Sequence, residues 1–65
     1  MQITVNGEIR DTQAQTLEEL CADLGYGEMK VATALNGEFV PALRRPGTHI
    51  SPDDRVEIVA PRQGG

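Results

Sequence analysis

Sixty-five residues supply one hydrophobic core and exclude a two-domain enzyme. Hydrophobic residues make up 38% and charged residues 25%, but the aromatic share is only 3% and Trp is absent, so the core is expected to be aliphatic and thin. Six Lys and Arg against ten Asp and Glu leave a net charge of -4, which repels nucleic acid and anionic membrane surfaces and suits a protein partner with a basic docking face.

Met1, Ile3 and Val5 alternate with Gln2 and Thr4, the period-two pattern of a strand with one buried face. Asn6-Gly7 follows, and both residues tolerate the positive φ of a type I′ turn, so the chain is expected to reverse into Glu8-Ile9-Arg10 with Ile9 inward. Thr16-Leu17-Glu18-Glu19 matches a capping box and starts a helix at Thr16. Leu17, Leu20, Cys21 and Leu24 then form one apolar stripe, Glu18, Glu19 and Asp23 take the wet side, and Gly25 or Gly27 is the C′ residue that ends it. Val31 to Leu35 is apolar on both parities and reads as an interior strand whose small Ala32 and Ala34 let the helix approach. A second Asn-Gly, at 36 and 37, leads into Glu38-Phe39-Val40, kept short by Pro41 and Pro46 because neither can donate to a ladder. Arg44 to Asp54 reads as irregular chain, and Arg55 to Val59 alternates again as a last strand with Val56 and Ile58 inward. This order predicts an α+β domain of β-grasp type over residues 1–60, a mixed sheet of about five strands wrapped on one helix. If the first and last strands are central neighbours, they run parallel.

Catalysis needs a nucleophile beside a base, a carboxylate pair or a metal set, and the chain offers none. His49, the sole imidazole, reads as a surface or packing residue, and Cys21 on the apolar stripe reads as a small core hydrophobe. Asp53-Asp54 reads as a solvated turn, Arg44 and Arg45 as solvated side chains, and Gly25 and Gly27 follow a helix, so they make no phosphate loop. One cysteine forms no internal disulfide, so a reducing cytoplasm is the expected compartment. No apolar stretch approaches the ~20 residues of a membrane span, and nothing reads as a targeting signal.

The end of the chain is different. Gln63-Gly64-Gly65 carries the terminal carboxylate on a tail, residues 61–65, expected to be flexible, and two residues without Cβ can enter a cleft that bars larger ones. An ionised carboxylate is a poor electrophile, so acyl chemistry there requires activation, which ATP-dependent adenylation supplies. Taken alone, a Gly-Gly end is equally what a frayed terminus looks like.

Ala34-Leu35-Asn36-Gly37-Glu38-Phe39-Val40-Pro41 in the middle, and Asp54-Arg55-Val56-Glu57-Ile58-Val59 running on to Gly64-Gly65, resemble the ThiS family of sulfur carrier proteins over essentially the whole chain. The resemblance implies a ubiquitin-like β-grasp fold and a protein cosubstrate that is not itself an enzyme and binds no cofactor. It implies adenylation of Gly65 with ATP by an E1-like adenylyltransferase, ThiF, and conversion to a thiocarboxylate, a covalent 1-thioglycine, with sulfur from a cysteine desulfurase persulfide. Thiazole synthase, ThiG, is the implied acceptor, and the product is the thiazole phosphate of thiamine. Carried over by position, Gly65 is modified, Gly64 and Gln63 are inserted, and Arg62 and Pro61 form the neck of the tail. A monomer when free is implied, with no nucleic acid and no membrane. Pro41-Ala42-Leu43-Arg44-Arg45 and Pro52-Asp53-Asp54 depart from frequent family patterns, whereas the compact length and the Leu35 to Pro41 segment favour the thiamine branch over carriers for molybdopterin or cysteine.

If Ala32 and Ala34 face the helix, Val31, Thr33, Leu35 and Val59 point to the open side of the sheet, making Leu35 and Val59 candidate partner contacts. Two further readings stay open: a ubiquitin-like modifier whose Gly65 forms isopeptide bonds with lysines, and a bare interaction module whose binding survives loss of Gly64-Gly65.

Overall fold

The computed structural model describes residues 1–60. In chain order these form β1 (Gln2–Val5), β2 (Glu8–Asp11), α1 (Leu17–Asp23), β3 (Ala32–Leu35), β4 (Glu38–Val40), a 3₁₀ turn (Ala42–Gly47) and β5 (Arg55–Val59). The strands make one five-stranded sheet in the order β2-β1-β5-β3-β4. β1 and β5 are central and parallel, while β1 with β2, β3 with β4 and β3 with β5 are antiparallel. One helix lies across one face of this mixed sheet, the β-grasp arrangement expected from the sequence.

Two type I′ turns set the register of both hairpins. Asn6 and Gly7 sit at φ 51° and 83°, Asn36 and Gly37 at 51° and 86°, left-handed values that Asn and Gly adopt at least cost. A two-residue loop places Val5 opposite Glu8, Thr4 opposite Ile9 and Ile3 opposite Arg10. Directly opposed residues share a face, so Ile9 lies with Thr4 on the side away from Ile3 and Val5. Its predicted inward orientation is therefore corrected, and Ile9 is 73% exposed.

The same rule corrects β3. Thr33 stands opposite Ile58 and Val40, and Leu35 opposite Val56, so Thr33 and Leu35 take the core face, while Ala32 and Ala34 lie with Val59, Glu57 and Phe39 on the open face. This inverts the predicted parity: Thr33 is buried, and Val31 and Leu35 are partly buried against the core instead of pointing to the open side. Packing decides it, because the larger side chains bury more apolar area and turning an Ala outward gives up little. The polar cost of burying Thr33 is met by hydrogen bonds: its hydroxyl donates to the Val40 carbonyl at 2.7 Å and accepts from Arg45 Nε at 3.0 Å.

The core is aliphatic and thin, as composition predicts. Ile3, Val5, Ala14, Leu17, Leu20, Cys21, Val40, Ile50, Val56 and Ile58 are buried, and among the described residues the aromatics stay outside it, Tyr26 partly buried and Phe39 exposed. Leu17, Leu20 and Cys21 form the buried stripe of α1, with Leu24 packed at its margin. Thr16 caps the helix by accepting from the Glu19 N–H at 3.2 Å, and the Glu19 carboxylate reaches back to the Gln15 N–H at 2.8 Å, one residue beyond the usual partner in a capping box. The far end closes in a Schellman motif: Gly25, at φ 89°, donates to the Ala22 carbonyl at 3.1 Å and Tyr26 to that of Cys21 at 2.8 Å.

The segment expected to be irregular is partly regular. Ala42–Gly47 forms the 3₁₀ turn, and Thr48 secures its end by donating its hydroxyl to the Arg44 carbonyl at 2.7 Å. The chain then ties to the helix start, where Leu17 donates to the Thr48 carbonyl and Ile50 to that of Gln15. Ser51 to Asp54 is the expected turn, with Asp53 at φ 71° and the Asp54 carboxylate accepting from the Ser51 N–H at 2.8 Å.

Candidate functional site

β5 runs through the middle of the sheet and is the last element before residues 61–65. Its position is fixed from both sides. On one side it pairs with β3 from Val56 opposite Leu35 to Val59 opposite Ala32. On the other, β1 supplies only two residue pairs, Thr4 with Arg55 and Val5 with Val56, before the chain turns away at Asn6. The Asn6 side chain extends this edge: its Oδ1 accepts from the Ile58 N–H at 2.8 Å and its Nδ2 donates to the Ile58 carbonyl at 3.0 Å. Asn36 acts similarly at the start of the strand, where its Oδ1 accepts from the Arg55 N–H at 2.9 Å and its Nδ2 donates to the Asp54 carboxylate at 3.0 Å. Both clamps escaped the sequence reading, which took each Asn only as a turn former. An Asn carboxamide offers an oxygen acceptor and an NH2 donor group that can match a strand backbone, but nothing local in the sequence names the partner strand.

The open face of the sheet presents Ile9, Phe39 and Val59, which are 73%, 69% and 60% exposed, with Ala32 and Ala34 between Phe39 and Val59 and the charged Arg55 and Glu57 alongside. Leu43, 95% exposed, stands on the 3₁₀ turn. Of the two residues expected to be partner contacts on this face, Val59 lies on it; Leu35 belongs to the core side of the same sheet. Ile9 and Phe39, which the sequence reading did not place there, complete it.

Among the described residues no group of three or more His, Cys, Asp and Glu could hold a metal ion, and the one thiol lies in the core, as its place on the apolar stripe predicts. Cys21 is buried in the core, where desolvation pushes its thiol above the ordinary value; Arg45 opposes this less strongly and Glu18 adds to it. The unfolded thiol therefore loses its proton first, so the native state holds more protons above about pH 8.5 and folding stability falls as pH rises through that range. The stability difference between the wild type and Cys21→Ala is expected to shrink there in urea titrations run at several pH values; a difference independent of pH would contradict the buried neutral thiol. Arg45 is not the solvated side chain expected: it bonds the Thr33 hydroxyl and the Val31 carbonyl, the latter at 2.5 Å, and pins the 3₁₀ turn to β3. His49 is exposed, with its backbone bridged to Thr16. Gln63, Gly64 and Gly65 lie outside the described residues. No helix among the described residues is long and apolar enough to cross a membrane.

The described residues thus form a sheet-and-helix platform whose open face carries exposed apolar side chains beside Thr4, Arg55 and Glu57, with no group of metal ligands among them. Comparison with known proteins finds relatives over the whole chain. The ThiS family model matches residues 2–65. The sulfur carrier protein ThiS of Thermus thermophilus is 36% identical over 63 residues, 97% of this chain and 98% of that protein. A thiazole synthase from Paramagnetospirillum magneticum is 38% identical over 66 residues, which is 100% of this chain but 20% of that protein. Among solved structures, the crystal structure of a thiamine biosynthesis protein, ThiS, from Geobacter metallireducens superposes with a TM-score of 0.84 at 28% identity, covering 100% of both chains. The solution structure of a thiamine biosynthesis protein from the same organism gives 0.82 at 28% identity, covering 100% of this chain and 88% of that one. With a family match that spans nearly every residue and the fold to accompany it, this chain belongs to the ThiS family of sulfur carrier proteins, as a carrier and not an enzyme.

Proposed function

We propose that this chain carries sulfur for thiamine biosynthesis in the cytoplasm and that the carboxylate of Gly65 is the group that carries it, with Gly64 and Gln63 entering the partners' clefts. The observation that supports this reading most is the full-length likeness to sulfur carriers, in a chain whose described residues hold no cluster of metal ligands and bury the Cys21 thiol. Chemistry then falls to the terminus, and β5 leads to it.

The steps follow from the chemistry of a carboxylate. A Gly65 oxygen attacks the α-phosphorus of ATP on an E1-like activating enzyme, a ThiF-type partner, and pyrophosphate leaves. The resulting acyl adenylate has an electrophilic carbonyl carbon and a good leaving group. The terminal sulfur of a persulfide, delivered from a cysteine desulfurase, attacks that carbon and AMP departs. A thiol of the activating partner then cleaves the S–S bond, becoming oxidised to a disulfide and releasing the thiocarboxylate. Neither terminal residue carries a Cβ to obstruct the attack.

Thiazole synthase, a ThiG-type partner, is the acceptor this reading names. A thiazole synthase that matches the whole of this chain within 20% of its own length supports that pairing, because linking two partners covalently raises their effective concentration. The open face with Ile9, Phe39 and Val59 is the docking surface proposed for such partners. The experiment is reconstitution: thiocarboxylated protein incubated with the thiazole synthase of its source, deoxyxylulose phosphate and a glycine-derived imine should give thiazole phosphate. Absence of product with an active synthase, together with Gln-Gly-Gly remnants on lysines in cell digests, would replace this reading with that of a protein modifier.

A further inference from the structure

We infer that Asn6 is a positioning residue for sulfur loading, acting through the backbone of Ile58; this inference rests on the carrier reading. Strand β1 ends one residue before Asn6, so its backbone ladder with β5 stops at Val56, whose carbonyl accepts from the Asn6 N–H at 2.9 Å. Ile58 still presents an N–H and a C=O to that side, and the Asn6 carboxamide satisfies both. It is a one-residue imitation of a strand, possible because the side chain of an Asn at φ 51° projects past the turn.

The arrangement matters because of where Ile58 sits. It lies seven residues before Gly65, and Val59 is the last residue of the strand. Without the carboxamide, the last hydrogen-bonded anchor on the β1 side would retreat from Ile58 to Val56, about 7 Å along the strand, leaving the end of β5 held by β3 alone. An activating enzyme that docks on the sheet and receives the terminus would then have to order those residues itself, which weakens binding without touching the chemical step.

Asn36 provides an internal control. It occupies the same turn position at the same φ and makes the same number of side-chain bonds, but at Asp54 and Arg55, the end of β5 remote from the terminus. Asn6→Gly and Asn36→Gly keep both turns accessible and remove one clamp each. The test compares both variants with the wild type in ATP-dependent thiocarboxylate formation by the activating enzyme of the same source, with intact-mass readout, and in amide hydrogen exchange. Asn6→Gly should raise KM for the carrier roughly tenfold, corresponding to ordering one or two residues, with kcat within about twofold, and should speed exchange at Ile58. Asn36→Gly should leave KM near the wild-type value even where its melting temperature falls as far. Equal KM changes in the two variants, or an unchanged Ile58 exchange rate in Asn6→Gly, would overturn the inference while the carrier reading stands. A wild-type protein that gains no sulfur alongside a carrier that does would overturn both.

Discussion

Removal of Gly65 should abolish sulfur loading while the domain stays folded. Among the described residues, the ten that form the buried core lie at or before Ile58 and the five strands end at Val59, so this core and sheet are expected to stand without the last residue. The truncated chain still ends in a glycine carboxylate, that of Gly64, but one residue short. Consecutive Cα atoms are about 3.8 Å apart, and a misplacement of about 1 Å can reduce a rate about 10²-fold. Thiocarboxylate formation should therefore fall by at least roughly 10²-fold, with an unchanged circular dichroism spectrum and melting temperature. Full activity in the truncated protein would mean that the carboxylate is not read by position, and a collapse of the fold would mean that residues after the last strand are structural. The first result would contradict the carrier reading, and the second the expectation that the domain spans residues 1–60.

The second large effect belongs to the core. Leu17 is 0% exposed and, with Leu20 and Cys21, forms the stripe by which α1 packs on the sheet. Leu17→Ala removes that contact and leaves a cavity, at about 2–5 kcal/mol. A domain of this size has only about 3–10 kcal/mol to lose, so much of its stability should go. At about 4–8 °C per kcal/mol, melting should fall by roughly 8–40 °C in a thermal scan. Leu43→Ala is the counterpart: Leu43 is 95% exposed, and a surface change of this kind is worth about 0.5 kcal/mol or less. A small loss for Leu17→Ala, comparable to that of Leu43→Ala, would contradict the assignment of the core.

Most of the architecture was written in local signals. Alternation marked β1 and β5, the Thr16 to Glu19 box marked the start of α1, and two Asn-Gly pairs marked the hairpins. The errors came from counting faces within one strand at a time. A two-residue turn at Asn6-Gly7 places Thr4 opposite Ile9, and one at Asn36-Gly37 places Thr33 opposite Val40. Applying that register to the sequence would have turned Ile9 outward once Ile3 and Val5 were inward, and Thr33 inward with Val40. What no local rule contains is the role of Arg45, whose partners Thr33 and Val31 belong to another element, or the reach of Asn6 to Ile58, 52 residues away. Such contacts exist only once β1 and β5 are neighbours, which is a property of the whole topology.

The proposed site rests on the sequence for a different reason. The chemistry proposed for it belongs to the chain terminus, so Gly64-Gly65, which lie outside the described residues, could be named without knowing the fold, whereas the apolar residues of the open face could not. That face was predicted from Val31, Thr33, Leu35 and Val59, and its exposed large apolar residues are Ile9, Phe39 and Val59; its existence followed from having one helix for two sheet faces, its membership from register.

The central claim is that Gly65 accepts sulfur. Intact-mass spectrometry of the full chain, incubated with ATP, the activating enzyme of its source and a persulfide donor, tests it directly. A sulfur-for-oxygen mass increase that requires ATP and maps by fragmentation to Gly65 is the predicted result. No increase, under conditions in which another carrier is loaded by its own activating enzyme, or an increase that maps to Cys21, would contradict it.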